Sequence, residues 1–476
     1  MNFLFIIPSQ KNVYGSTLAP PYPPLGALYL ASALEARRHK VHLVDADAEQ
    51  LDDRAIINRV GDIAPDWVGF SCVTPTINHG LRLAEGIKKK YPHIKIIMGG
   101  IHATIDPMYC INNPHVDFVA LGEAEHTVCD LLDLPFNSKE WGQIAGIYWK
   151  NNGVVQKNPP RELEHNIDTF SFPAFHLIKN IGAYSPPDAV TLPVLPMISS
   201  RGCPGTCTFC CTKQIFGRKF RARSVGNILE EIDRLVQVFH VKEIHFVDDV
   251  LTTNKKRLLE ICDSLAQRNI PVHYAIPNGV RADMVDKEIF GALKKTGVTY
   301  MAFGLESGNE EILKVMKKGI TKDQMRNALR LAKQAGFETW GFFILGLPGE
   351  TKKTVNDTID FAIELNPTYA KFSILKPFPG SEVFDQLSAD HLIDVFDYDA
   401  YGCYSPAVHH LPLLSNNEIL QLQKKAYRRF YVRPKKILQL VTRLQSIAQA
   451  RIAFRGVVFI LARIFLPQKA ASINRQ

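Results

Sequence analysis

Two stretches of this 476-residue chain alternate short apolar runs with segments of helical periodicity, and that alternation admits few folds. A strand that returns parallel to its neighbour needs a crossover, usually a helix, so the pattern predicts an α/β fold built on parallel sheets. Within 1–140 the runs are Phe3 to Ile7, Val41 to Val44, Trp67 to Ser71, Ile94 to Met98 and Phe118 to Leu121, with helical spacing in Leu25 to Leu34 and Leu81 to Lys89. They predict a Rossmann-like N-terminal domain. A stretch rich in Pro, Asn and Lys at 141–193 reads as a linker, broken at Asn158-Pro159-Pro160 and Tyr184-Ser185-Pro186-Pro187. Six further runs follow in 194–385: Val194 to Ser199, Glu243 to Val247, His273 to Ile276, Thr299 to Gly304, Glu338 to Leu345 and Ala370 to Leu375. They predict a partial (β/α)6 barrel. Residues 386–476 read as a closing segment and a basic helical tail.

In both architectures ligands collect beyond the carboxyl ends of the strands. In the first domain those ends run into Ser71-Cys72-Val73-Thr74-Pro75-Thr76, Gly99-Gly100-Ile101-His102-Ala103-Thr104 and Gly122-Glu123, all small, polar or permissive. In the barrel they carry Asp248-Asp249, Glu306-Ser307 and Gly346-Leu347-Pro348-Gly349-Glu350-Thr351, then Pro377 to Ser381. Plain structural uses compete at each place. One of the two aspartates can cap the helix starting near Asn254, Glu306 can pair with a nearby Arg or Lys, and Glu350 with Thr354 can cap a helix.

The first barrel run leads into Cys203-Pro-Gly-Thr-Cys207-Thr-Phe-Cys210. Structural zinc takes four ligands, generally as two separated pairs, and adjacent Cys211 is poorly placed to be the fourth. Disulfides belong to exported proteins, and Met1-Asn2-Phe3-Leu4 opens into a strand with no export leader, which predicts a cytoplasmic protein. Three thiolates leave a four-iron cluster one ligand short, with one iron open to a reactant.

This triple, with aromatic Phe209 before its third cysteine, Val194 to Ser199 leading in and Arg201-Gly202 at the turn, resembles the radical S-adenosylmethionine enzymes. The strand-end turns of the first domain, with Tyr22-Pro23-Pro24-Leu25-Gly26 and Gly122-Glu123-Ala124-Glu125, resemble the cobalamin-binding domain fused to many of them. The Asp-x-His-x-x-Gly run of cobalamin mutases is absent. The resemblance implies a four-iron four-sulfur cluster on Cys203, Cys207 and Cys210, whose open iron is chelated by S-adenosylmethionine and yields a 5′-deoxyadenosyl radical. It implies that Phe209, Asp248, Asp249, Glu306, Ser307, Gly346 and Gly349 line the S-adenosylmethionine site. Ser71, Thr74, Thr76, Gly99, Gly100, His102, Gly122 and Glu123 would then contact cobalamin, His102 as a loop residue beside it rather than a cobalt ligand. A small-molecule substrate, a one-electron donor such as flavodoxin or ferredoxin, and methyl transfer to an unactivated carbon are the implied chemistry. Oxidative cyclisation or rearrangement, as in the anaerobic cyclase of chlorophyll synthesis, uses the same parts; a cobalamin or redox sensor would need no charged barrel turns.

Composition locates the charge. With 46% hydrophobic and 22% charged residues the chain is an ordinary globular one, yet its net charge is +9. From Lys424 onward there are 13 Lys and Arg and no Asp or Glu, which leaves 43 basic against 47 acidic residues elsewhere. Nucleic-acid enzymes spread basic residues around the catalytic core, so no nucleic-acid partner is expected. Helical spacing from Lys436 to Leu466 makes a basic amphipathic helix that can lie peripherally on the inner membrane surface or pack on the barrel with its basic face solvated.

Overall fold

The computed structural model describes residues 1–442, apart from 16–19, 137 and 139. The chain forms two compact units. The first comprises Met1–Ser185, Cys211–Ser224 and Asp397–Gly402; the second comprises Pro186–Cys210, Val225–Phe396 and the chain from Cys403 on.

The first unit is built on a seven-stranded sheet: β1 (Asn2–Ile7), β2 (Lys40–Asp45), β3 (Trp67–Ser71), β4 (Lys95–Gly99), β5 (Phe118–Ala120), β6 (Ile147–Asn151) and β7 (Val154–Lys157). Their spatial order is β2-β1-β3-β4-β5-β6-β7. The first five are parallel, and Phe3 to Ile7 are at most 3% exposed, as a strand covered by helices on both faces must be. The main covering helices are α1 (Leu25–Ala36), α2 (Asp53–Ile63) and α3 (Ile77–Lys90). Asp52 caps α2 by accepting from Ala55 N at 2.8 Å.

The segment expected to be a linker adds β6 and β7 instead, as an antiparallel hairpin on β5. Asn152 and Gly153 have φ of +50° and +81°, the two left-handed residues a tight hairpin turn requires.

The second unit holds a six-stranded, all-parallel sheet: β8 (Val194–Met197), β9 (Glu243–Phe246), β10 (His273–Val280), β11 (Val298–Glu306), β12 (Glu338–Leu345) and β13 (Tyr369–Ile374). They lie in sequence order. Sequential parallel strands with a helix after each are a partial (β/α) barrel. Two of the helices, α4 (Lys322–Gln334) and α5 (Lys352–Leu365), begin with capping boxes, Thr321 with Gln324 and Thr351 with Thr354.

The tail carries one helix more than expected, ahead of the one that begins near Lys436. α6 (Asn416–Tyr431) starts twenty residues before Lys436, capped by Ser415 and Glu418, and buries Tyr427, Phe430 and Tyr431 on β13. The Tyr431 hydroxyl donates to Ala370 O and accepts from Ala370 N, both at 2.9 Å. A shorter helix, α7 (Pro434–Val441), follows; the rest of the periodic stretch to Leu466 lies outside the described residues. Among the described residues no helix is long and apolar enough to cross a membrane.

Candidate active site

The carboxyl end of β8 runs directly into the cysteine loop, and the two aspartates after β9 hold its start. Asp248 is 4% exposed and accepts from Ser199 N at 3.1 Å, Ser199 Oγ at 2.8 Å and Ser200 Oγ at 2.5 Å. Burial raises its carboxyl above the usual range, opposed by those serines and by Arg257, which donates to Ser199 O at 2.6 Å. Asp249 accepts from Gly202 N at 3.1 Å. Neither caps the next helix, because Asn254 does so itself through Arg257 N. These carboxylates position the loop.

Beyond Gly202 the chain is pinned again at Thr208, whose N donates to Met316 O and whose O accepts from Val383 N, both at 3.0 Å. Cys203, Cys207 and Cys210 are half-buried and carry no disulfide. A Cβ on Gly205 would lie 3.2 Å from Cys203 Sγ, 3.7 Å from Arg281 Nη1 and 3.9 Å from Cys207 Sγ, so two sulfurs and a guanidinium converge on one glycine. Its N–H donates to Cys203 Sγ at 3.3 Å. Burial raises both thiols; the Gly205 N–H and Arg281 oppose this at Cys203, and Lys318 opposes it at Cys207. Among the described residues no three His, Cys, Asp or Glu side chains gather round a single ion. Three thiols spaced along one loop, flanked by cations that favour thiolates, fit a cluster in which each sulfur takes its own iron.

The other expected barrel residues divide by what they touch. Glu306 is 7% exposed with φ +61°, a strained conformation for a side chain of this size, and pairs with Lys318 at 2.8 Å. Phe209 is half-buried in the loop. Ser307 turns away to Thr358 Oγ1 on α5, 3.1 Å from its hydroxyl, and is fully buried. Gly346 and Gly349 have φ of +86° and +84°. Gly346 N donates to Glu350 Oε2 at 2.6 Å, and His409 Nε2 lies 2.7 Å from Gly346 O. Glu350 therefore folds back on the turn rather than capping α5, and burial pushes its carboxyl up to about 8. Arg281, Lys318, Arg257 and His409 escaped the sequence reading; nothing in their local sequence marks them.

In the first unit the strand order reverses between β1 and β3, the switch point where open α/β sheets open a crevice for ligands. Ser71, at the end of β3, borders that crevice. Thr74 and Thr76 follow in a buried turn, where Thr76 Oγ1 bonds to Val73 N at 3.1 Å and Val73 O at 3.0 Å. Gly99 ends β4 and Gly122 lies in the turn after β5, both half-exposed. Gly100, at φ +90°, has no room for a Cβ, which would sit 2.7 Å from Cys72 O.

Two expected cofactor contacts are enclosed by protein. His102 is 0% exposed, its ring 4.5 Å from that of Tyr398 and its Nδ1 3.2 Å from Thr74 Oγ1, and burial lowers it to about 4. Glu123 forms a two-pronged pair with Arg221 at 2.8 and 2.6 Å, the side chains 4% and 2% exposed.

A barrel whose first strand feeds a three-cysteine loop, in a chain that also carries a switch-point sheet, defines a radical S-adenosylmethionine protein with a second α/β domain. The comparisons agree. The Radical SAM superfamily matches residues 197–362, and the B12 binding domain matches residues 11–132. An uncharacterised methyltransferase of Pyrococcus horikoshii is 32% identical over 440 residues, 92% of this chain and 94% of that one. The anaerobic magnesium-protoporphyrin IX monomethyl ester cyclase of Rubrivivax gelatinosus is 28% identical over 442 residues, 91% of this chain and 78% of the relative. The structure of the cobalamin-dependent S-adenosylmethionine radical enzyme OxsB, with aqua-cobalamin and S-adenosylmethionine bound, superposes with a TM-score of 0.75 at 18% identity, covering 98% of this chain and 72% of that one. The chain belongs to the cobalamin-dependent radical S-adenosylmethionine methyltransferase family.

Proposed function

We propose that this enzyme methylates an unactivated carbon of a small organic molecule, a lipid or a secondary metabolite, using a four-iron four-sulfur cluster, S-adenosylmethionine and cobalamin. The observation that carries the reading is the cysteine loop, tied at both ends to the barrel by Asp248, Asp249 and Thr208, with Cys203 and Cys207 gathered round Gly205. When bound, these cofactors supply hydrogen abstraction from carbon and a methyl group. The residues supply the placing: Cys203, Cys207 and Cys210 hold iron, while Phe209, Glu306, Gly346 and Gly349 face S-adenosylmethionine. In the first unit Ser71, Gly99 and Gly122 border cobalamin. The enclosure of His102 and the Glu123–Arg221 pair support assigning those two to the fold of that unit instead. A one-electron donor such as flavodoxin or ferredoxin reduces the cluster. The enzyme works in the cytoplasm and meets the inner membrane surface through its C-terminal region.

The test is anaerobic reconstitution followed by product analysis. Methylation requires 5′-deoxyadenosine and S-adenosylhomocysteine in equal amounts; 5′-deoxyadenosine without S-adenosylhomocysteine would favour cyclisation or rearrangement. Replacing any one of the three cysteines by Ala should lower iron content and abolish S-adenosylmethionine cleavage. Unchanged iron would sink the proposal.

A further inference from the structure

Helix α7 is inside out. Its buried side chain is a lysine, Lys436, 1% exposed, whose Nζ donates to Pro367 O at 2.5 Å and to Gln439 Oε1 at 3.2 Å. The preceding Arg433 donates to Phe430 O at 2.8 Å and to Asn366 Oδ1 at 3.1 Å. Polar side chains thus fasten the helix to the barrel. Three of its four large apolar residues point the other way: Ile437 is 50% exposed, Leu438 64% and Val441 57%, with Val432 at 55% just before the helix, while Leu440, one turn from Lys436, is half-buried. Positions 437, 438 and 441 share one face of a helix. An apolar face left in water while a lysine is buried marks a surface made for something else.

Charge says what that is. From Lys424 onward there are 13 basic residues and no acidic one, so a second copy of this region or the chain's own remaining residues would bring like charge against α7. An anionic bilayer offers both things at once, negative headgroups for the basic residues and an acyl boundary for the three apolar ones. We propose that α7 is the insertion element by which this protein docks on an anionic membrane surface. This deepens the peripheral contact in the proposed function and is independent of the methyl-transfer chemistry.

The test is flotation of the full-length protein with vesicles of phosphatidylcholine alone or mixed with phosphatidylglycerol, at low salt. Phosphatidylglycerol vesicles should carry the protein up. Leu438→Asp should lower the partition coefficient roughly tenfold or more, since burying one leucine accounts for about that much, while a Lys435→Gln control should weaken binding less. S-adenosylmethionine cleavage, assayed on the same preparations, should be unchanged and shows the variants folded. No flotation with either vesicle would overturn the proposal. So would salt-sensitive flotation to which Leu438→Asp is indifferent, because the basic residues would then suffice, and so would recovery of an acidic soluble protein on α7 in place of lipid.

Discussion

Replacing Glu123 by Ala separates two accounts of the turn after β5. If the carboxylate belongs to the fold, its loss leaves the Arg221 guanidinium in a nearly dry site where, among the described residues, Glu164 O and Phe216 O, at 2.7 and 3.1 Å, still accept from it. Breaking a buried pair by removing one partner costs about 3–5 kcal/mol, and the two surviving carbonyl bonds place this case near the lower end. In a unit of this size each kcal/mol moves the midpoint by roughly 2–4 °C, so a fall of roughly 6–12 °C is expected in the protein without cofactors. Tryptophan fluorescence is the assay, because Trp67, Trp141 and Trp149 lie in the first unit and Trp340 alone in the second. A double variant, Glu123→Leu with Arg221→Met, should recover most of the loss, since it removes both charges and keeps the volume. The reasoning fails if Glu123→Ala melts within about 2 °C of the parent, the shift of a surface change, yet no longer retains cobalamin. Glu123 would then be a cofactor contact.

Glu350 should make stability fall with rising pH. Its carboxyl is raised to about 8 by burial, so the folded protein holds the proton where the unfolded chain releases it near 4.5. Stability should be greatest below pH 4.5, decline from there to about 8, and flatten above; urea unfolding of Glu350→Gln should lack that decline, and parallel curves for the two proteins would contradict the assignment. Gly100→Ala should destabilise the first unit by about 2 kcal/mol or more, because the new Cβ meets Cys72 backbone and φ is positive. A midpoint in urea equal to that of the parent would show that the turn after β4 can shift freely.

Most strands were legible because parallel strands buried on both faces are bare apolar runs, and every one of the eleven expected is found within a few residues of its place. The hairpin of β6 and β7 was missed although Asn152-Gly153 announces it: its strands include Lys150, Asn151, Gln156 and Lys157, and an edge ribbon needs little apolar sequence. The start of α6 was also written locally, in Ser415 and Glu418, but what makes that helix bury Tyr427 and Tyr431 is β13, more than fifty residues earlier. The site shows the same division. Cysteine spacing is local and could be read; that Asp248 holds Ser199, or that Glu123 meets Arg221 98 positions away, depends on contacts no single segment contains. His102 looked available beside a glycine turn and is instead capped by Tyr398.

That cap has a consequence for biosynthesis. Tyr398 belongs to Asp397–Gly402, a piece of the first unit that comes more than two hundred residues after Ser185. A ribosome that has finished residues 1–185 has therefore not yet supplied everything the first unit needs. Asn78, which bonds Asp397 at 2.9 Å, and Asp106, which accepts from Tyr398 at 3.2 Å, must wait until the barrel strands have left the exit tunnel. Throughout that interval the nascent first unit lacks the ring that covers His102, and a fragment ending at Ser185 would lack it for good.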